Sequence, residues 1–512
     1  MQGCNTSWVF GGVDGGGSVR RALACLTLIA VAAASPQIAS AGGQVTRSCR
    51  VEGMPNELQC GLVQRPLDPA NRAGVQIEVH YLVVPAMARN KQPDAVLVLA
   101  GGPGQSAVDI APLVMSRLSR LNNRRDMVFI DQRGTGRSAP LQCEDESRLS
   151  VQESLDPEKQ LARIRQCSET LGKLPYGDLR FFNTTLAVQD FDAVRAQLGV
   201  PQWNLVGASY GTRAALEYLR LFPDKVRRTI MDGVAPPDMV LPASFSVDGQ
   251  AALEQIFSAC AKDTQGNTAC SRRYPKLRTQ WTELLQSLPR AVSVDHPLTG
   301  VSERFTLSRG ALLQAVRAPL YAPTLASGLP AAIHAAAQGR FEGLVGLSGA
   351  LGNRKSMRLA LGMHFSVVCA EDVPRMTSAA AVSGPDFGAE DAEKYASVCK
   401  FWPRGKVDDA FYTVPTASSP VLLLSGGADP VTPPRHGERV AKALGAKAQH
   451  IVVPEAGHGV SGIGCMRDVV ARFVTESSDA QAMPHDVACA TKIPRPGAFL
   501  PIQSGISAGD RP

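Results

Sequence analysis

The sequence lacks the features that mark several protein classes. It has no run of Lys and Arg. The formal charge of +7 is spread through pairs such as Arg124-Arg125, Arg227-Arg228 and Arg272-Arg273, without interleaved aromatics. No nucleic-acid partner is expected from that pattern. Beyond the N-terminal region no apolar run approaches the length of a membrane-spanning helix, so no integral membrane segment is expected. None of the cysteines falls in a C-x-x-C, which removes the commonest zinc and redox motifs, and no metal or other cofactor is expected. A chain of 512 residues with 44% hydrophobic and 19% charged residues has enough apolar material for a sizeable core. One large α/β core with an inserted lobe and two independent domains satisfy that length equally.

The N-terminal region has the pattern of an export signal. Arg20-Arg21 precede an apolar run from Ala22 to Ala34, and Ala39-Ser40-Ala41 offers an A-x-A cleavage site before Gly42. Residues 1–41 therefore read as a general secretory signal peptide, which implies a secreted or periplasmic protein. The stretch before Arg20 is long and glycine-rich for such a leader, which places the expected start codon downstream of Met1. Twelve cysteines become ten once Cys4 and Cys25 leave with the leader. The ten fall in sequence-local pairs: Cys49 with Cys60, Cys143 with Cys167, Cys260 with Cys270, Cys369 with Cys399, and Cys465 with Cys489. An oxidising compartment favours five disulfides, although spacing alone leaves the connectivity open.

From Leu58 to Ala86 two apolar stretches flank a turn at Pro66–Gly74, with Val75, Ile77, Val79 and Tyr81 alternating, which predicts an antiparallel hairpin. Continuous apolar runs follow at 95–100 and 127–130, and further strand-like stretches at 203–206, with Trp203, Leu205 and Val206 apolar, and at 229–231, separated by helix-prone segments. Strands alternating with helices predict an α/β fold with a mostly parallel sheet covered on both faces. The alternation fails over 237–416, where mostly helical segments broken by Pro and Gly suggest an inserted cap. It resumes with a strand at 421–425, a helix, a strand at 450–453 and a last helix. The expected division is a leader (1–41), a first core part (42–236), a helical cap (237–416), a second core part (417–492) and a flexible tail (493–512).

The chemistry centres on Gly207-Ala208-Ser209-Tyr210-Gly211, a G-x-S-x-G between the apolar run Trp203–Val206 and a helix-patterned stretch carrying Ala214, Ala215, Leu216 and Leu219. A serine exposed at a sharp strand-to-helix turn occupies strained backbone, and side chains two residues to either side would collide. Glycine at both flanks meets that need. A serine hydroxyl requires a base, and the base requires an acid to orient it. Among the eight histidines, His458 in Gly457-His458-Gly459 follows the last strand in a loop, whereas His334 and His436 sit in helical stretches and His450 begins a strand. Asp429, in Gly426-Gly427-Ala428-Asp429-Pro430-Val431-Thr432-Pro433, follows the preceding strand, far enough upstream for one helix and one strand to intervene. The order Ser209, Asp429, His458 is that of the α/β-hydrolase fold. A tetrahedral oxyanion needs two backbone donors, expected from Tyr210 N–H and from Gly102 in Gly101-Gly102-Pro103-Gly104. Thr432 is placed to brace the acid loop through its hydroxyl, or else is an exposed turn residue.

Taken together, GGPG, DQRGTGRS, GASYG, GGADPVTPP and GHG resemble the secreted serine exopeptidases of the prolyl and tripeptidyl aminopeptidase family, nearest to the tripeptidyl branch. The resemblance extends from about Leu58 to Arg472. It implies Ser209, Asp429 and His458 as the triad, Gly102 and Tyr210 as the oxyanion hole, and Asp131 to Ser138 as a structural signature. The implied substrates are peptides with a free N-terminus, from which single residues or short peptides are released. Ala100 stands where many relatives have His before the GGPG, a departure that bears on loop support. Cap acidic residues bind the substrate ammonium in that family. Here Glu371 and Asp372, after the apolar Ser366-Val367-Val368, are the candidates, the alternative being an ion pair or helix cap at that corner. The other enzymatic reading is a secreted carboxylic-ester hydrolase or small-molecule amidase with the same triad, and a non-enzymatic reading is a scaffold on the same fold.

Overall fold

Short runs of aliphatic and β-branched residues build the centre of the molecule. The structure, a computed structural model, describes residues 45–501 apart from 146–148, 262–268, 297–298, 353–357, 377–382 and 484–486. The expected signal peptide and the end of the expected tail lie outside the described residues. Its strands are β1 (Arg47–Cys49), β2 (Leu58–Pro66), β3 (Gln76–Val84), β4 (Ala95–Leu99), β5 (Met127–Ile130), β6 (Trp203–Ala208), β7 (Val226–Asp232), β8 (Arg290–Asp295), β9 (Ser302–Leu307), β10 (Val421–Gly426) and β11 (Ala448–Val453). One sheet has the order β1-β2-β3-β5-β4-β6-β7-β10-β11, and β8 pairs with β9 apart from it. β1, β2 and β3 join antiparallel, and β3 pairs antiparallel with β5. From β5 through β11 the strands of this sheet run parallel.

The period of two in the strands separates two cores. Ala95, Leu97 and Leu99 of β4 face one, with Leu205, Leu423 and the helices Thr184–Gln197 and Tyr210–Leu221. Val96 and Val98 face the other, with Val206, Leu422, Leu424 and the helices Ala107–Leu118 and Met466–Thr475. Every residue of β4, β5 and β10 is buried because both faces are covered. Between β7 and β10 the chain leaves the sheet and forms a third core around Leu253, Trp281, Val316 and Ile333, walled on one side by the β8–β9 hairpin.

All five local cysteine pairs are disulfide-bonded, which settles the connectivity that spacing left open. Cys49 bonds to Cys60 and ties β1 to β2. Cys143 bonds to Cys167 and fastens the loop after β5 to the helix Pro157–Leu171. Cys260 bonds to Cys270, joining the end of the helix Leu241–Ala261 to the short helix Ala269–Arg273. Cys369 bonds to Cys399 and ties the helix Leu361–Glu371 to the helix Glu390–Cys399, where Trp402 Nε1 donates to Ser366 Oγ. Cys465 bonds to Cys489, holding the start of the helix Met466–Thr475 to the turn Ala488–Lys492. The described part of the tail is anchored: Arg495 pairs with Glu455 and reaches Gln255, and Phe499 N–H donates to Ser327 O. Among the described residues no helix is long and apolar enough to cross a membrane.

Candidate active site

The parallel strands deliver every candidate residue to one end of the sheet. The GGPG loop follows β4, Ser209 follows β6, Asp429 follows β10 and His458 follows β11. Carboxyl ends of parallel strands are where α/β sheets place ligands.

Ser209 has φ 55° and ψ −124°, a region that side-chain-bearing residues avoid. The surroundings enforce it. A Cβ at Gly207 would lie 2.5 Å from Gly211 O, and one at Gly211 would lie 2.2 Å from Leu99 O. Both flanking glycines are therefore steric requirements of the turn. Ser209 stands at the N-cap of the helix Tyr210–Leu221, yet its side chain makes no capping hydrogen bond. Its N–H is held by Asp232 O at 2.9 Å.

His458 and Asp429 meet, with 2.8 Å between Nδ1 and Oδ2. Asp429 is buried, and its other contacts are all donors: the N–H groups of Val431 and Thr432, each 2.9 Å from Oδ1, and Thr432 Oγ1, 2.8 Å from Oδ2. Thr432 is itself buried and also lies 3.1 Å from His458 Nδ1. Burial would push the Asp429 carboxyl up, but the neighbouring imidazole and these donors outweigh it and hold Asp429 below the usual carboxylate range. Burial would likewise depress His458, and the charge and hydrogen bond of Asp429, with the charge of Asp232, hold it above its ordinary value instead. Because a carboxylate can only accept, Nδ1 carries the proton and Nε2 is left as the basic nitrogen.

Three supports were not legible in the sequence. Asp232 accepts from Val460 and Ser461 N–H at 2.8–3.0 Å, so one carboxylate braces the histidine loop while its backbone carbonyl holds Ser209. An Asp-Gly closing the strand run at 229–231 was the only trace of it. Tyr321 O accepts from His458 N–H at 2.9 Å, and the two rings meet edge-on at 5.3 Å. Gln255 Nε2 donates to Gly427 O in the acid loop. Tyr321 and Gln255 both lie between β7 and β10.

At the candidate oxyanion hole, Gly102 has φ 113°, and a Cβ there would lie 2.7 Å from Gly104 N. The loop lies against the nucleophile, since a Cβ on Gly101 would approach Ser209 Cβ to 3.3 Å. Tyr210 is buried, and its hydroxyl joins Gln132 Nε2 at 3.0 Å and Thr184 Oγ1 at 2.6 Å. Elsewhere in the Asp131–Ser138 stretch the roles are architectural. Asp131 accepts from Ser106 Oγ, Val108 N–H and Arg137 N–H, and Arg133 forms a bidentate pair with Asp190.

Glu371 and Asp372 need a correction. Each is only 1% exposed. Asp372 takes both Arg213 Nη1 and Nη2, at 3.0 and 3.1 Å, and Leu241 N–H at 3.0 Å. Glu371 accepts from Thr184 N–H at 2.7 Å and meets Thr184 Oγ1 at 2.9 Å, with Arg213 Nη1 at 3.5 Å. Asp372 forms an internal ion pair with Arg213, Glu371 is held beside it by Thr184, and both are sealed from solvent, so the substrate-ammonium role expected for them does not fit. A buried charge needs a buried partner, and Arg213 is that partner.

Residues 94–280 match the alpha/beta hydrolase fold family and residues 384–489 the TAP-like protein family. The chain is 31% identical over 273 residues to a tripeptidyl aminopeptidase of Streptomyces coelicolor, an alignment covering 48% of each protein. It thus spans about half the length of that relative. It is 25% identical over 431 residues to the serine protease Hip1 of Mycobacterium tuberculosis, covering 76% of this chain and 80% of that one. A carboxylesterase B of the same species is 27% identical over 422 residues, covering 76% and 78%. Ser209 lies inside the first matched segment and Asp429 and His458 inside the second, so the chain has the α/β-hydrolase fold and carries a match to the TAP-like family towards its C-terminus.

Proposed function

We propose that the protein is an exported serine aminopeptidase that releases single residues or short peptides from free peptide N-termini through an acyl-enzyme. The observation that carries the reading is the 2.8 Å Asp429–His458 contact, at the same sheet end as a serine held at positive φ. Ser209 Oγ attacks the scissile carbonyl while His458 Nε2 takes its proton. Asp429, fixed by Thr432, holds the imidazole tautomer and stabilises the imidazolium. The N–H groups of Gly102 and Tyr210 receive the oxyanion, the second aided by the positive end of its helix. His458 then protonates the departing amine, and water, activated by the same nitrogen, hydrolyses the ester. No step requires a metal. Residues 237–416 act as a cap beside the site, from which Tyr321 and Gln255 reach the histidine and acid loops. The relatives named tripeptidyl aminopeptidase and serine protease support peptides as substrates. Export rests on the expected cleavage after Ala41, and the five disulfides support it.

A second reading, carboxylic-ester hydrolysis by the same triad, is favoured by the carboxylesterase B relative. One set of assays separates the readings. A fluorophosphonate should label Ser209 in the wild type and not in Ser209→Ala, and unlabelled wild-type protein would exclude both hydrolase readings. Peptides with free N-termini should then be cleaved in strong preference to acetylated peptides and p-nitrophenyl esters. The reverse preference would establish the esterase.

A further inference from the structure

The GGPG loop carries one of the two candidate oxyanion donors, yet the residue before it, Ala100, brings no polar side chain to support it. Its support comes from across the chain. Ala360 N–H donates to Gly104 O at 2.8 Å, Gln105 and Leu359 form an antiparallel bridge, and a Cβ on Gly104 would lie 2.8 Å from Ala360 O. One turn further into the helix Leu361–Glu371, the buried His364 places Nδ1 3.0 Å from Pro103 O. Its Nε2 lies 2.7 Å from Tyr395 OH on the helix Glu390–Cys399, and Cys369–Cys399 ties these two helices together.

The hydrogen-bond chemistry fixes direction. A carbonyl oxygen only accepts, so Nδ1 carries the proton. Nε2 of the neutral ring then accepts, and Tyr395 donates. Burial holds the imidazole below its ordinary range, in the neutral form this relay needs, and burial also keeps the Tyr395 phenol protonated. The ring is thus locked at both nitrogens and packs edge-on against Phe365.

We propose that His364 is a positioning residue that pins the carbonyl of Pro103, and so aims the Gly102 N–H at the developing oxyanion. The inference rests on the serine-hydrolase reading. It gives the segment between β7 and β10 a part in transition-state stabilisation, alongside its bonds to the acid loop through Gln255 and to the histidine loop through Tyr321.

The test compares His364→Asn with His364→Leu. The two replacements have nearly the same shape, but the Asn side-chain amide can place a donor where Nδ1–H lies. Loss of an oxyanion donor outright costs about 100- to 1,000-fold in kcat, so a mis-aimed one should cost about 10- to 100-fold. His364→Leu should lose that factor in kcat with KM within about twofold of wild type, because the oxyanion exists only in the transition state. It should weaken inhibition by a peptidyl trifluoromethyl ketone, whose hemiketal oxyanion occupies the same hole, by a similar factor. His364→Asn should recover most of both. A folded His364→Leu with kcat within about twofold of wild type overturns the proposal. So does equal impairment of Asn and Leu. If His364→Leu does not fold, Tyr395→Phe, which frees the ring to take the other tautomer, decides: a several-fold lower kcat supports the proposal and an unchanged one overturns it. Wild-type protein that a fluorophosphonate leaves unlabelled would instead fail the serine-hydrolase reading, a result these variants cannot mimic.

Discussion

Glu371→Gln should change how stability depends on pH, and the structure gives the size. One guanidinium, Arg213, faces two buried carboxylates, and Asp372 takes both of its terminal nitrogens. Glu371, at 3.5 Å from Nη1, gains too little to offset its burial, which pushes its carboxyl up from 4.5 to about 7. Thr184 N–H and Oγ1–H both donate to this carboxylate and favour its charged form, but burial outweighs them. A carboxyl whose folded pKa is raised binds more protons in the folded state. Its contribution is full below the unfolded pKa near 4.5 and is lost as pH rises through about 7. At about 1.4 kcal/mol per unit, the loss amounts to about 3 kcal/mol. Urea unfolding with disulfides intact, at pH 5 and pH 8, should show the wild type losing about 2.5 kcal/mol more than Glu371→Gln, since pH 5 already lies above the unfolded pKa, the amide cannot ionise and other titrations cancel between the two proteins. Parallel pH dependences would refute the assignment of a neutral Glu371. A selective rise in KM for free peptides, with no difference in pH dependence, would return Glu371 to the substrate site.

Thr432→Val keeps shape but removes a donor to the buried Asp429 carboxylate; a hydrogen bond to a charged group is worth about 1.5–3 kcal/mol, so kcat should fall at least about 10-fold with KM little changed, and wild-type turnover would remove Thr432 from the triad's support. The acid limb of kcat/KM should have its midpoint above about 6.5, because Asp429 raises the pKa of His458 and the base works only when neutral; a midpoint below that value would contradict the pairing. Gly211→Ala drives a methyl to within 2.2 Å of Leu99 O, so the variant should lose about 3 kcal/mol of stability by denaturant unfolding, and a loss under about 1 kcal/mol would mean that the turn can relax. Intact-mass measurement of unreduced protein after alkylation should show no modified cysteine among the ten bonded ones, and any labelled pair, such as Cys143 and Cys167, would identify an open bridge.

What the sequence by itself determined is what local chain physics encodes. Apolar runs of strand length marked the parallel strands, and the loops after them identified Ser209, Asp429 and His458 as residues at strand ends. The glycine two residues before Ser209 signalled the strained turn because the collision it avoids is with Gly211 O, close by in the chain, whereas the demand for glycine at 211 comes from Leu99 O on a neighbouring strand. Closely spaced cysteines, Cys260 and Cys270 or Cys465 and Cys489, predicted the bridges because short loops bring such pairs together. Tertiary structure decided which buried charges meet. Arg213 and Asp372 are 159 residues apart and His364 and Pro103 are 261 apart, and no periodicity reports such pairings. From sequence, Glu371 and Asp372 are acidic residues after an apolar run, compatible with a substrate site or an ion pair. Only the arrival of Arg213 from the nucleophile helix selects between them, because the energy of a buried carboxylate depends on the partner that shares its burial.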